Sequence, residues 1–520
     1  MTRRQFAALA AGCAFLALAG CGTTVHGVDR LSTNGSDNLG VGGPAVPGAS
    51  GGPNGGAVGG GAAGVGTGPT GTDGGSLVGS GGPSVVGSGN AGGNGHGVTA
   101  TTIYVGMVQA ENTDKVNAAT GATNLALGDP LADAKAVIDY INHHGGVAGR
   151  KIQLVTAPFD SASTDDSETQ WAAVCAKFTQ DNPKVFAVLD AGTASYRRCI
   201  HNAGVVQVND DLPQASASEF RDYPGYIELG YPNLNRLAAE QVTSLVDQNY
   251  FQPWDTLRGQ PAPRGKANVG IVTYDTPDYA SAVDRILVPH LKELGYNPLV
   301  ARINDVNRAS DYGSQSAAVK SAQLKFASQG VDHVIMFESN GGLSLFFMNN
   351  ASTQNYHPRY GVNTSSGLEA LVEADDVQSS QARGAVGFGW NPGFDIPAAQ
   401  NPDNGPYSNT ARRQCLAIMA HYGITFPSSN AEGEALGLCS RLFLLQRALN
   451  ATPKLINHDS FIRAVDAIGS GFTSGGELGE FLGPGHHDGV SKIYYWHWAD
   501  ACPSGGGGCM TYTGPRRTIP

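Results

Sequence analysis

Charge is scarce in this 520-residue chain: Asp, Glu, Lys and Arg together make up 15% of it, and the net charge is −11. A nucleic-acid binder shows a basic patch or stripe, and this balance argues against that class. Motifs of covalent chemistry are missing as well. No G-x-S-x-G elbow joins a strand to a helix, and no S-x-x-K or H-E-x-x-H stands out. Gly259 to Lys266 ends in Gly-Lys, but the spacing is one residue too long for a phosphate loop. Two prolines there also remove N–H groups that would cradle a phosphate. The eight cysteines contain no C-x-x-C pair, so their spacing matches no zinc pattern. Nothing calls for a cofactor or a metal, and an enzyme is the lesser reading.

An apolar run near the start, Phe6 to Leu18, is shorter than the roughly 20 residues that span a bilayer. With Arg3 and Arg4 before it and Ala19-Gly20 after it, it reads as an export signal. Leu18-Ala19-Gly20-Cys21 resembles the bacterial lipobox, which implies a diacylglycerol on Cys21 and a mature chain that starts there. Residues 1–21 are therefore read as a lipoprotein signal peptide. Thr2-Arg3-Arg4-Gln5-Phe6 resembles a twin-arginine core, and the general secretory route stays open beside it. The protein is expected outside the cytoplasm, lipid-anchored to the outer face of the cell membrane. Past Cys13 and Cys21, six cysteines remain, and they allow fifteen connectivities. They fall into three local couples, Cys175 with Cys199, Cys415 with Cys439 and Cys502 with Cys509, and local pairing is the expectation.

Many of the 72 glycines crowd between Leu31 and Gly97, with Ser, Thr, Ala, Val and Pro and almost no aromatic or long apolar residues. Such a segment buries too little surface to offset its chain entropy. Residues 22–99 are read as a disordered tether. As a flexible coil of ~70 residues it reaches ~45–50 Å, about the size of a folded domain.

Beyond Gly97 the pattern changes. Thr102–Val108 reads as a buried strand. A helix follows, capped by Asp129 with Pro130 at its first position and a face of Leu131, Ala134, Ile138 and Ile141. Gly145-Gly146 ends it. Strands at Lys151–Val155, Lys184–Leu189 and Val205–Val208 alternate with further helices, which means β-α-β units with parallel pairing. The alternation restarts with strands at Asn268–Tyr274, Leu299–Ile303 and His333–Phe337. Ala435, Leu438, Leu442, Leu445 and Leu449 line one face of a long helix and read as core. The fold class is α/β, with two Rossmann-like lobes, each a mainly parallel sheet flanked by helices.

Tyr140-Ile141-Asn142-His143-His144-Gly145-Gly146-Val147-Ala148-Gly149-Arg150 resembles the y-I-N-x-x-G-G-I-x-G-R segment of the type I periplasmic binding proteins, in the branched-chain amino-acid and amide-binding group that serves ABC transporters. Asp160 stands where that family has a recurrent aspartate. Asp275 followed by Tyr279 resembles its D-x-x-Y-G opening of the second lobe, one residue longer and with Ala280 for glycine. The resemblance spans about Thr101 to Tyr512. It implies a small polar ligand, such as an amino acid or amide, delivered to an ABC permease, and also a disulfide near Cys175 and Cys199. A ligand sensor facing a membrane partner is the alternative, with a structural wall protein behind it. The family crosses between lobes three times, and crossings are expected near Tyr226–Gly230, Tyr360–Asn363 and Tyr494–Trp498. Lobe one would then be 100–228 plus 362–492, and lobe two 229–361 plus 493–520.

Ligands of open parallel sheets sit outside the carboxyl ends of the strands. Gly192, Thr193 and Ser195 follow the third strand at a helix start, where free N–H groups favour an anion. The family uses this loop for a ligand carboxylate, although an ordinary helix cap is the competing reading. Gln109 follows the first strand, Asp210 ends the fourth, and Tyr231 follows the first crossing. In lobe two the candidates are Asp275 and Tyr279, then Glu338, Ser339 and Asn340, with Glu338 to receive a ligand ammonium. His486-His487-Asp488 looks metal-like, but its glycine-rich surroundings read as a surface turn.

Overall fold

The computed structural model describes residues 94–519 apart from 121, 123–127, 211–214, 403 and 506. The export signal, Cys21 and most of the glycine-rich segment lie outside the described residues.

Two sheets organise the chain. The first holds β1 (Thr102–Glu111), β2 (Lys151–Asp160), β3 (Ala187–Val188), β4 (Val206–Asn209) and β5 (Tyr226–Glu228), in the order β2-β1-β3-β4-β5 and parallel throughout. A small antiparallel ribbon, β6 (Trp254–Asp255) and β7 (Gln260–Pro261), follows. The second sheet takes β8 (Val269–Tyr274), β9 (Leu299–Ile303), β10 (His333–Phe337), β11 (Arg359–Asn363), β12 (Val386–Gly389), β13 (Lys492–Ala499) and β14 (Cys509–Thr518). Its order is β14-β13-β12-β11-β10-β8-β9, with β13 and β14 antiparallel. Every residue of β8 and of β10 is buried, as strands covered on both faces require.

Local chemistry explains the element boundaries. Asp129 accepts the Ala132 N–H at 3.0 Å and starts the helix Pro130–His143. That helix ends at Gly145 and Gly146, both with positive φ. At Gly146 a Cβ would meet the Arg150 carbonyl at 2.1 Å, so only glycine makes this turn into β2. The leucine stripe of the helix Ser429–Asn450 packs in the first core with Ile103, Val105, Phe186 and Val206. All three cysteine couples are disulfides, with Cα separations of 6.4, 5.9 and 5.2 Å.

Two of the expected crossings are corrected. Tyr360–Asn363 lies in β11, inside the second sheet, and Tyr494–Trp498 lies in β13 of that sheet. Residues 362–389 thus belong with the second lobe, not the first. A short, buried, aromatic strand carries the same sequence signal whether it crosses between lobes or sits within one. The chain leaves the first sheet at Glu228, and Leu234 and Leu237 already pack in the second core. The return lies between Tyr407, against the second core, and Cys415, within the first. The last crossing runs between Leu482 in the first core and Val490 in the second.

The first and last crossings lie side by side. Glu228 and Asp488 form a parallel bridge, with Glu228 N donating to His487 O at 2.8 Å and Gly489 N to Glu228 O at 2.6 Å. Asp488 Oδ2 accepts from Asn233 N, Asn233 Nδ2 and Arg236 Nη1 at 2.9, 2.8 and 2.6 Å. His487 Nε2 meets Asp466 Oδ1 at 2.8 Å. The surface-turn reading of His486-His487-Asp488 is therefore wrong for two of the three: His487 and Asp488 are buried. Glycine-rich sequence marks tight backbone passage, which occurs in a covered hinge as readily as in an exposed turn.

Candidate functional site

The loop after β3 is held from three sides. Asp190 Oδ1 accepts the Val108 N–H at 2.9 Å, Gln207 Nε2 donates to the Ala191 carbonyl at 2.7 Å, and Arg441 Nη1 donates to the Leu189 carbonyl. Gly192 has φ +58°, and a Cβ there would fall 2.1 Å from the Tyr196 ring. Thr193 then caps the helix Ala194–Asn202. Glu168 Oε2, from the helix Ser167–Thr179, accepts from the Thr193 hydroxyl at 3.2 Å and from the Ser195 hydroxyl. The two hydroxyls expected to meet a ligand carboxylate thus meet one of the protein's own.

Asp210 and Tyr231 meet at the junction of the lobes. They line a cavity of about 20 Å³ together with Asn391, Phe394, Glu434, Arg441 and Glu477. That volume suits about one water, so the lobes are shut here. They also touch at their rims. Ser167 N donates to Asn307 O at 2.8 Å, Arg308 stands 3.4 Å from Asp166, and the Ser429 hydroxyl donates to Glu373 at 2.8 Å. Gly230 is obligatory, because a Cβ would sit 2.2 Å from Asp210 Oδ1. Tyr231 stands edge-on to Trp390, with centroids 5.7 Å apart. Gln109 is half-buried at the end of β1, paired in register with Pro158.

The second-lobe candidates divide. Asp275 is exposed at the end of β8, and Asn340 is exposed with φ 60°. Tyr279 is corrected: it is buried, packing against Tyr274 and Phe337 at 5.4 and 5.7 Å, and belongs to the core. Ser339 is buried beside it. Glu338 is corrected too. Its carboxylate turns back to accept from Leu343 N at 2.7 Å, Ser344 N at 2.9 Å and the Ser344 hydroxyl. It satisfies the orphan N–H groups at the start of the helix Gly342–Thr353, which otherwise has a glycine at its cap. It has no face toward a ligand.

The residues that sequence reasoning missed are Glu168, Asn391, Phe394, Glu434, Arg441 and Glu477. One signal was available. Glu434, Gly437 and Arg441 recur at spacings of three and four on the long helix, beside its leucine stripe. A charged stripe on a helix that is otherwise buried marks a polar cavity.

Buried acids are unusually common in this fold. Glu477 is pushed well up by burial and by Asp210 beside it. Burial raises Glu338 to about 8 and Glu240, Glu369, Asp395 and Glu480 to about 7 each. Each is raised above its unfolded value, so the folded chain keeps protons that the unfolded chain has released. The stability tied to them is complete below their ordinary values near 4 and is lost as pH rises through 7 to 8. Burial lowers His201, His357 and His497, which oppose this trend only below about pH 6.5. The melting temperature is therefore expected to fall between pH 6.5 and 8.5. Calorimetry showing a flat or rising melting temperature across that window would contradict it.

No protein-family model matches the chain, and no curated protein matches it. Solved structures do. A fatty acid ABC transporter substrate-binding protein from Thermomonospora curvata matches at 16% identity and TM-score 0.53, over 81% of this chain and 93% of its own. A solute-binding protein from R. palustris, in complex with 4-hydroxybenzoate, gives 12% and 0.55 over 81% and 98%. A branched-chain amino acid transporter substrate-binding protein from Streptococcus pneumoniae, in complex with isoleucine, gives 17% and 0.51 over 80% and 100%.

The fold is that of the type I solute-binding proteins.

Asp210 and Tyr231 follow the carboxyl ends of β4 and β5, and Asn391 follows that of β12, so strands of both sheets end toward the shared cavity. Among the described residues no group of three or more His, Cys, Asp or Glu is placed to hold a metal, and no helix is long and apolar enough to cross a membrane.

Proposed function

We propose that this protein captures a small polar solute between its lobes and delivers it to an ABC importer. The observation that carries this reading is the pair of mainly parallel sheets that present carboxyl ends to one interlobe cavity, joined through paired hinge strands. The similar structures are titled as binding proteins, which supports binding rather than catalysis. The cavity around Asp210 and Tyr231 holds only about 20 Å³, so a ligand enters it only after a hinge motion about the crossings.

The walls support one ligand class. Asp210, Glu434 and Glu477 line the cavity with Arg441, and Glu168 occupies the nearby helix start. This wall suits a ligand that donates hydrogen bonds, such as an ammonium or amide group, and disfavours a bare carboxylate. Thr193, Ser195, Gly192, Gln109, Asp210, Tyr231, Asp275 and Asn340 remain the proposed contacts from the sequence, joined by Glu434, Arg441 and Asn391. A thermal-shift screen with amides, polyamines, amino acids and sugars tests this. A donor-rich ligand at 100 times its Kd adds about 2.7 kcal/mol, a readily seen shift. Silence from every compound would remove solute capture, while a response to carboxylates alone would remove the assigned class.

The anchor is part of the same proposal: Cys21 carries lipid and holds the protein on the outer face of the membrane. Cys21→Ser is expected to move the protein from the membrane fraction to the medium. Retention in the membrane would refute lipidation at Cys21.

A further inference from the structure

A second cavity lies away from the sheets' carboxyl ends. It measures about 510 Å³ and opens beside the last crossing. One wall comes from the segment that ends the first lobe, with Ser470, Thr473, Phe481 and His486. The other comes from β13 and β14 of the second lobe, with Lys492, Arg516 and Thr518, and from Ile519 just past β14. Whatever fills it touches both lobes at their hinge.

The lining is amphipathic. Leu478 and Ile519 are buried and apolar, and Phe481 is 44% exposed, high for a large aromatic residue. The charged lining is dominated by cations, in a chain whose net charge is −11. Lys492 Nζ donates to the Thr518 hydroxyl at 2.6 Å, and Arg516 Nη1 donates to the Leu478 carbonyl at 3.2 Å. Among the described residues neither cation has a carboxylate within ion-pair distance. Arg236 is committed to Asp488 and to the carbonyls of Val490 and Ile519. The acid in the wall, Glu480, is turned inward: its oxygens accept from Ser474 N at 2.6 Å and from the Ser474 hydroxyl. Burial also pushes it up to about 7, which weakens its opposition to an anion.

We propose that this hinge pocket is a second binding site, distinct from the interlobe cavity, for a small organic carboxylate with an apolar body. The carboxylate meets Lys492 and Arg516 at the rim, and the apolar body covers Phe481, Leu478 and Ile519. Two charge-assisted contacts fix the head, and burial of apolar area holds the tail. Because the walls come from both lobes, occupancy resists any hinge motion that separates them, and so it is linked to whatever the interlobe cavity does.

The site does not depend on the solute proposed for that cavity, and its test uses other residues. Isothermal titration of the full chain at low salt, with hexanoate as the probe and hexylamine as the control, should show binding of the first and not the second. The double variant Lys492→Gln/Arg516→Gln should weaken hexanoate at least about tenfold. Phe481→Ala should weaken it several-fold by removing the apolar cover, which gives a second readout if the double variant is unstable. Asp210→Asn, in the interlobe cavity, should change hexanoate binding less than either hinge-pocket variant does. The proposal is overturned if hexanoate does not bind, if hexylamine binds equally, if the hinge-pocket variants bind as the parent does, or if Asp210→Asn abolishes binding.

Discussion

Asp488→Ala is expected to lower the unfolding free energy by about 3 kcal/mol or more. The carboxylate is buried, and three donors from the first crossing converge on it: Asn233 N, Asn233 Nδ2 and Arg236 Nη1. Removing it takes away the buried acceptor that these three donors share. Breaking a buried pair by deleting one partner typically costs about 3–5 kcal/mol, because the survivor is left uncompensated. The Arg236 side chain keeps 13% exposure, which places the effect at the lower end of that range. Asp488→Asn keeps an acceptor and should cost less. Denaturant unfolding of the three proteins orders them, and a loss below about 1 kcal/mol for the alanine variant would show that Asp488 does not clamp the crossings.

The second large effect concerns the disulfide between Cys415 and Cys439. Replacing both with Ala opens a loop closed at a sequence separation of 24, for which chain entropy alone gives about 3 kcal/mol. Both cysteines are fully buried in the first core, so the lost sulfurs also leave a void. The disulfide Cys175–Cys199 has the same separation, but Cys199 is partly exposed, and its removal should cost less. Cys502–Cys509 closes a separation of only 7 near the chain end and should matter least. Guanidinium unfolding of the three double variants gives the ranking directly. Equal losses for all three would mean that neither loop length nor burial governs them.

Much of the architecture was legible because it rests on local chemistry. Asp129-Pro130 starts a helix, Gly145-Gly146 stops it, and the β-branched runs at Val269–Tyr274 and His333–Phe337 have only one stable use. The lobe boundaries were less legible. Tyr360 and Tyr494 sit in short aromatic strands, and nothing local says which sheet a strand joins. The site was the least legible part. Position after a parallel strand pointed to Glu338 and Tyr279, but side-chain direction decided their roles. Glu338 turned back to its own helix and Tyr279 packed inward. Glu168 and Glu477 reach their places through contacts between segments far apart in sequence, which periodicity does not report.

Glu168 has a consequence for selectivity that follows from its tether. A side chain fixed to the same scaffold as Thr193 and Ser195 competes at an effective concentration on the order of millimolar, whatever the solute concentration outside. If that helix start contacts the solute as proposed, a free carboxylate at micromolar levels would compete there against Glu168, and a ligand that avoids the Thr193 and Ser195 hydroxyls would not.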